Sequence, residues 1–327
     1  MKKRIFLTLL LLVVMVAGTA ATGFSASKPI VIKMATFLPR NDKNLTAWWA
    51  LINEINKKAK GELEIKYVGG PASIKGFKQF DALRTGVLDM IFGCESYYGR
   101  QVTGAAYTHL TQLTPQEERK NGYYDFRVKL LKKHNVMYLG RAETNVWFNV
   151  FTNKYIKHPK ELKGQKIRVS ATYQPFIKKI GAIPQQIGYS EIYTALERGT
   201  IDGYAWAIIG NMSAGWNEVC KYIIEPRIYQ MNIEALMNLK TWNKIPKRLQ
   251  KVIMDCMIEN EIKYGEVMRK IAEDEYQALQ KAGMKVIKFT PEETKWYVDT
   301  AYEAGWEEVI KYAPKLGPKL RKMLTKQ

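Results

Sequence analysis

The sequence predicts an α/β protein of two lobes, joined by crossing strands and by a long helix that spans both. Three observations carry this prediction. The 327 residues, 46% hydrophobic and 25% charged, have ordinary globular composition, and a domain usually takes only ~100–200 residues. Near its start the chain reads strand, helix, strand, with a connection long enough for a crossover, which implies a parallel sheet. The pattern Ala82-Leu83-Arg84-Thr85-Gly86-Val87-Leu88-Asp89 returns 113 positions later as Ala195-Leu196-Glu197-Arg198-Gly199-Thr200-Ile201-Asp202. That spacing far exceeds the roughly 20–50-residue period of a solenoid and fits two lobes built on one plan.

Residues 1–27 read as a secretory signal peptide. Lys2, Lys3 and Arg4 precede a 13-residue run, Ile5 to Ala17, that is apolar apart from Thr8, and small and polar residues follow. As a helix that run rises about 20 Å, short of the ~30 Å hydrocarbon core, so a leader is expected and not an anchor. Cleavage is expected between Ala21 and Lys28. No Cys stands there, which argues against lipoprotein processing, and the mature chain is expected to be soluble and exported.

Ile30 to Ala35 reads as a buried first strand. After a turn through Pro39 to Asp42, residues Leu45, Trp48, Trp49, Ile52 and Ile55 recur at helical spacing, with Asn44 as the cap. Leu63 to Val68 alternates as a second strand and stops at Gly69-Gly70-Pro71. Each copy of the repeated pattern reads as a helix ending at a glycine C-cap, then a short apolar strand starting near an Asp. Val136 to Leu139 and Val146 to Thr152 read as strands, the second long enough to cross between lobes. Lys166 to Val169 is a strand, followed by a helix near Tyr173 to Ile180 and a strand Ile183 to Ile187. Asn232 to Leu239 is the return crossing. Pro246 opens a helical pattern that runs to Ala282; Asn260 interrupts it and Gly265 permits a bend. Met284 to Phe289 and two short helices carrying Trp296 and Trp306 close the second lobe. The resulting division is 28–145 plus 232–271 for lobe I and 146–231 plus 272–327 for lobe II.

Charge and motif content narrow the function. The formal charge is +20, or +17 once Lys2, Lys3 and Arg4 leave with the signal. The excess Lys is scattered, and its one concentration, Lys311 to Lys326, reads as a solvated terminal helix. No nucleic-acid partner is expected, although a field of this sign attracts small anions. Cys94, Cys220 and Cys256 form no CxxC pair, which excludes a disulfide scaffold or zinc ribbon and leaves their thiol state open. His109, His134 and His158 lack metal-ligand spacing and read as surface or cap residues. GxSxG, the P-loop and a strand-following GxGxxG are absent. Glu117-Glu118, Glu292-Glu293 and Glu307-Glu308 read as helix starts or polar faces. With no nucleophile set beside a base, a binding protein without metal or cofactor is expected in preference to an enzyme. One basic residue stands out. Arg168 ends a predicted strand just before a loop, where a planar guanidinium can hold a carboxylate through two parallel hydrogen bonds and where open parallel sheets bind ligands. The same placement also suits a structural Arg that pairs with a helix C-terminus.

Several segments resemble, in order, the solute-binding proteins of tripartite ATP-independent periplasmic (TRAP) transporters. They are Leu162 to Val169, Ala182-Ile183-Pro184, Tyr189 to Leu196, Gly199-Thr200-Ile201-Asp202-Gly203, Ala82 to Asp89, and Ile245 to Gln250 with the long helix it opens. The resemblance covers essentially the whole mature chain. It implies the two-lobed periplasmic binding-protein architecture, closing as a monomer around a small organic acid and handing it to a membrane permease driven by an ion gradient. It implies that Arg168 holds the ligand carboxylate, with Phe37, Glu95, Tyr98, Phe148 and Trp206 at other pocket positions. Two departures bear on the ligand. Phe148 and Trp206 stand where sialic-acid-binding members carry a second Arg and an Asn. Ala205 stands before Trp206 where a metal-using keto-acid branch has Glu. Phe37, Tyr98, Phe148 and Trp206 then suggest an aromatic box for a monocarboxylate with a hydrophobic or aromatic body. A secreted enzyme acting on an organic acid and a sensory binding protein are the alternatives.

Overall fold

Apolar and β-branched runs gather into two separate mixed sheets in the computed structural model, which describes residues 28–105 and 107–326. The signal-peptide reading of residues 1–27 lies outside the described residues. The strands are β1 (Ile30–Thr36), β2 (Leu63–Gly69), β3 (Met90–Cys94), β4 (Val136–Glu143), β5 (Trp147–Thr152), β6 (Lys166–Arg168), β7 (Ile183–Gln185), β8 (Gly203–Ala207), β9 (Tyr222–Gln230), β10 (Ile233–Asn238) and β11 (Lys285–Ile287). One sheet has the order β2-β1-β3-β10-β4 and the other β11-β9-β5-β8-β6-β7. The parallel β2-β1-β3 set confirms the crossover read from the start of the chain. β10 then runs antiparallel to both β3 and β4.

The repeated pattern is structural in both copies. Helix Gly76–Thr85 ends on Gly86 at φ +85°, and helix Ile192–Glu197 is followed by Gly199 at φ +66°, left-handed positions that glycine takes without steric cost. The aspartates do matching work. The Asp89 carboxylate accepts from the Lys33 amide of β1 at 2.9 Å, and the Asp202 carboxylate from the Lys166 amide of β6 at 2.8 Å. Asp89 and Asp202 also donate their own amides to the Lys33 and Lys166 carbonyls. Each Asp therefore stitches the start of one parallel strand to its neighbour, once per sheet.

The chain passes between sheets at 144–146 and again at 231–232, where the Met231 amide donates to the Val146 carbonyl at 2.7 Å. The crossings are thus made by short linkers flanking β5 and β10. Strand β9 was not legible in the sequence. Pro226 sits inside it, where the register against β5 is irregular, and such a bulge tolerates the missing amide.

Helix Lys247–Lys281 is continuous over 35 residues, about 52 Å of rise. Asn260 does not break it: its side-chain amide donates to the Ala47 carbonyl at 3.0 Å and ties the helix to helix Thr46–Lys58. Gly265 marks a close approach, since a Cβ there would lie 2.9 Å from Asn145 Nδ2 and 3.2 Å from Thr144 Oγ1 of the first linker. Beyond it, Glu275 accepts from the Met212 amide and from Lys43, so the helix contacts both halves of the molecule.

Three local expectations are corrected. Trp296 and Trp306 lie on one helix, Pro291–Tyr312, opened by a Thr290/Glu293 capping box, and not on two short ones. Helix Gly317–Leu324 follows; it buries Leu320 and Leu324, and its Leu324 carbonyl accepts from the Gln112 amide at 2.8 Å. Arg321 of this last helix also pairs with Glu303, so the helix touches both helix Pro291–Tyr312 and the segment between β3 and β4. Asp42, not Asn44, caps the first helical turn. Glu118 is no surface acid: it is buried and pairs with buried Arg141 at 3.2 Å.

Candidate functional site

Strand β6 is three residues long and lies between β7 and β8, so its last residue, Arg168, points out of the strand end into the space between sheets. Arg168 is fully buried. Its Nε donates to the Ile187 carbonyl at 3.0 Å, and its guanidinium lies 5.0 Å over the Trp206 ring. Among the described residues, Nη1 and Nη2 donate to no carbonyl or carboxylate, and the Tyr97 hydroxyl lies beside them. Burial pulls the guanidinium pKa down from its ordinary range, opposed by the Tyr97 hydroxyl beside it. Two donors of a planar fork, held by their third nitrogen and turned away from water, suit one bidentate carboxylate.

Aromatic rings from both sheets surround this group. Phe37 meets Tyr97 edge-on at 5.2 Å and stacks on Phe92 at 5.6 Å. On the other side Phe148 packs 4.8 Å from Tyr173, and Trp206 packs 5.5 Å from Tyr189. Phe37, Tyr97, Phe148, Tyr173 and Trp206 line an inner chamber of about 30 Å³, together with Asn232 of the second linker. Among the described residues, Asn232 is buried with neither side-chain amide atom bonded, and Trp206 Nε1 is likewise buried and unbonded. Buried polar atoms are normally satisfied, so their convergence on one chamber marks a polar ligand or water site. Beside it lies an outer chamber of about 480 Å³, and both chambers are walled by Glu95, His109 and Thr172. Polar contacts cross the cleft: Ser96 Oγ lies 2.9 Å from Thr172 Oγ1, and Arg100 donates to Gln174 Oε1 at 3.1 Å.

Of the residues named from the sequence, Arg168, Phe37, Phe148, Trp206 and Glu95 come together here. Tyr98 does not. Helix Glu95–Tyr98 is a single turn that presents Tyr97 to the cleft and drives Tyr98 into the core, where its ring stacks on Phe80 at 4.2 Å and its hydroxyl donates to Glu234. The aromatic box therefore takes Tyr97, one position earlier. Tyr97 and Asn232 are cleft residues that sequence reasoning missed. The signal for Asn232 was a polar residue heading an apolar strand. His109, read as a surface or cap residue, is buried edge-on to Tyr229 at 4.7 Å. His158 is exposed beside Glu293, as expected. Cys94, Cys220 and Cys256 are free thiols.

Glu95 does more than line a wall. It accepts from the Thr108 amide at 3.0 Å and faces Arg127 at 3.0 Å, while Arg127 also pairs with Glu234. Desolvation, against the pull of Arg127, pushes the Glu95 carboxyl up from 4.5 to about 8. The folded state then binds the proton more tightly than the unfolded chain. Its contribution to stability is fully present below about 4.5 and is lost as pH rises toward about 8. Wild type should therefore lose Tm relative to Glu95→Gln, which mimics the protonated carboxyl, as pH rises across that window. A difference that stays flat with pH would show that Glu95 does not titrate there.

Among the described residues, no group of three or more His, Cys, Asp or Glu is placed to hold a metal ion. No described helix is long and apolar enough to cross a membrane.

Two α/β sheets, joined by paired linkers around an arginine-bearing cleft, define a two-lobed binding-protein architecture. Residues 34–311 match the family model of the bacterial extracellular solute-binding proteins, family 7, and the chain belongs to that family. It is 26% identical over 308 residues to a solute-binding protein of Albidiferax ferrireducens, covering 89% of this chain and 87% of the relative. It is 22% identical to a monocarboxylate 2-oxoacid-binding periplasmic protein of Nostoc, covering 69% and 65%. A TRAP periplasmic solute-binding protein of Desulfovibrio salexigens, solved with orotic acid, superposes with TM-score 0.81 at 20% identity, covering 90% of this chain and 97% of that one. A TRAP solute-binding protein of Bordetella bronchiseptica, solved with calcium and picolinate in one site, gives 0.75 at 23% identity, covering 90% and 92%. The family and these neighbours are binding proteins of transporters and not enzymes.

Proposed function

We propose that the chain is the extracytoplasmic receptor of a TRAP transporter, working as a periplasmic monomer that captures a small organic acid and delivers it to the membrane permease. The observation that carries this reading is the buried Arg168 fork, set over Trp206 and beside Tyr97, two rings that line the inner chamber. Orotate and picolinate, bound by two of the structural neighbours, are both ring carboxylates, in keeping with it. The aromatic walls favour a monocarboxylate with a hydrophobic or aromatic body. The linkers at 144–146 and 231–232 act as the hinge between lobes. Residues 28–145 plus 232–271 make lobe I, and 146–231 plus 272–327 make lobe II. Ligand binds the closed arrangement better and so shifts the population toward it, while the low dielectric of the closed cleft strengthens the Arg–carboxylate bond.

A thermal-shift screen tests this. Protein beginning at Lys28 is unfolded and refolded to strip carried-over ligand, then challenged with aliphatic, sugar and aromatic acids. Ligand at ~100 times its Kd adds ~2.7 kcal/mol of stability. Aromatic monocarboxylates are expected to raise Tm most. Stabilisation by sugar or aliphatic acids alone keeps the receptor and makes the rings mere wall, whereas no response to any acid rejects the receptor.

A further inference from the structure

We infer that the bound acid extends past Glu95 and Thr172 into the outer chamber, which selects acids bearing a neutral hydrogen-bonding group at the end remote from the carboxylate. The inference rests on the Arg168 reading and adds a second subsite to it.

Volume is the first argument. The inner chamber, about 30 Å³ and bounded by five aromatic rings, is a small fraction of the outer one. The outer chamber, about 480 Å³, falls within the ~300–1,000 Å³ typical of small-molecule sites. Glu95, His109 and Thr172 belong to both chambers, so a molecule seated in the inner chamber, where Trp206 and Tyr97 adjoin Arg168, has the outer one across a shared wall.

Placement is the second. The outer chamber is lined from both sides of the cleft: Arg100, Thr103 and Tyr107 follow β3, while Gln174 follows β6 and Glu308 and Tyr312 come from helix Pro291–Tyr312. The Arg100–Gln174 hydrogen bond closes across it. A ligand body lying here is gripped only when the lobes meet, which couples its recognition to closure.

Lining chemistry sets the class. Arg100 and Glu308 offset each other in sign and Glu95 is held against Arg127, so neither an anionic nor a cationic tail gains from the chamber as a whole. Arg100 is shared with Gln174, whose Nε2 in turn donates to Gln186 at 3.0 Å. The phenols of Tyr107 and Tyr312, the Thr103 hydroxyl and the Gln174 amide offer both donors and acceptors around apolar ring faces. A hydroxyl, carbonyl or amide on a ring or chain meets that mixture best.

The test uses acetate, hydrocinnamate and para-hydroxylated hydrocinnamate, which share a carboxylate and differ in body and tail. Their Kd values are measured by titration calorimetry on wild type and on Thr103→Phe, a substitution at an exposed turn residue that fills the chamber mouth. On wild type, the hydroxylated acid is expected to bind roughly five- to tenfold tighter than hydrocinnamate, the net worth of one hydrogen bond. Thr103→Phe is expected to weaken both long acids at least about tenfold and leave acetate unchanged, which also shows that the variant is folded. Equal binding of the two long acids, or long-acid binding that Thr103→Phe does not disturb, overturns the second subsite and leaves the Arg168 reading standing. Failure of these acids together with the whole screening panel rejects the receptor reading itself.

Discussion

Arg168→Ala is expected to raise the Kd for the bound acid by roughly 30- to 5,000-fold, because truncating one member of a buried, hydrogen-bonded charge pair costs about 2–5 kcal/mol. The same substitution should leave the free protein as stable as before, or more stable. In the free protein Nε donates to the Ile187 carbonyl and the guanidinium lies over Trp206 and beside the Tyr97 hydroxyl, while Nη1 and Nη2 are buried with no carboxylate to neutralise them. Burying an unpaired cation is costly, and alanine removes that cost along with the bond. Function and stability should therefore move in opposite senses, as they do when a site holds strain for its ligand. Arg168→Lys keeps the charge but not the fork, and should fall between the two. Calorimetry with the best acid from the screen and thermal unfolding without it read the two effects separately. An Arg168→Ala protein that keeps its affinity but loses several degrees of Tm would falsify the clamp and leave a structural arginine.

The parts of this site that could be read in advance were those fixed by local chain geometry. Arg168 was visible because a strand end followed by a loop is a sequence-local feature. The Asp89 and Asp202 echo was visible because each aspartate must sit where its own strand begins, which repeats the surrounding residues as well. Tyr97 and Tyr98 show where this reach ends. Two adjacent tyrosines on one helical turn point in different directions, and partners distant in sequence, Glu234 136 positions away, Arg127 and the Phe80 ring, hold Tyr98 in the core. Glu118 looked like an exposed helix start because its partner Arg141 lies on β4, 23 positions on. His109 gave no sign of burial, since its neighbour Tyr229 belongs to a strand that Pro226 disguised. Local propensity locates elements, whereas the partners of buried polar groups are chosen by tertiary packing.

Arg127→Met should be the most destabilising single change, by about 3–5 kcal/mol, because it removes one partner from a buried ionic cluster. Arg127 is fully buried: Nη1 donates to the Ala105 carbonyl at 2.6 Å, and Nη2 serves the Tyr98 hydroxyl, Glu234 and Glu95. Its guanidinium also lies 5.4 Å from the Tyr138 ring centre. Without it, two carboxyls face each other with no countercharge. Protonation relieves that repulsion, so the loss should be larger at alkaline than at mildly acidic pH, which urea unfolding across pH will show. The double variant Arg127→Met with Glu234→Met should recover most of the lost stability, since apolar side chains of similar volume often replace buried ion pairs without loss. What the double variant does to binding then separates two roles of the cluster. Glu95 is both a member of it and a wall of the two chambers. If stability returns while acid affinity stays low, the cluster is kept to hold Glu95 in position at the cleft. If affinity returns as well, the cluster serves the core of the first lobe, and Arg168 carries recognition of the carboxylate without it.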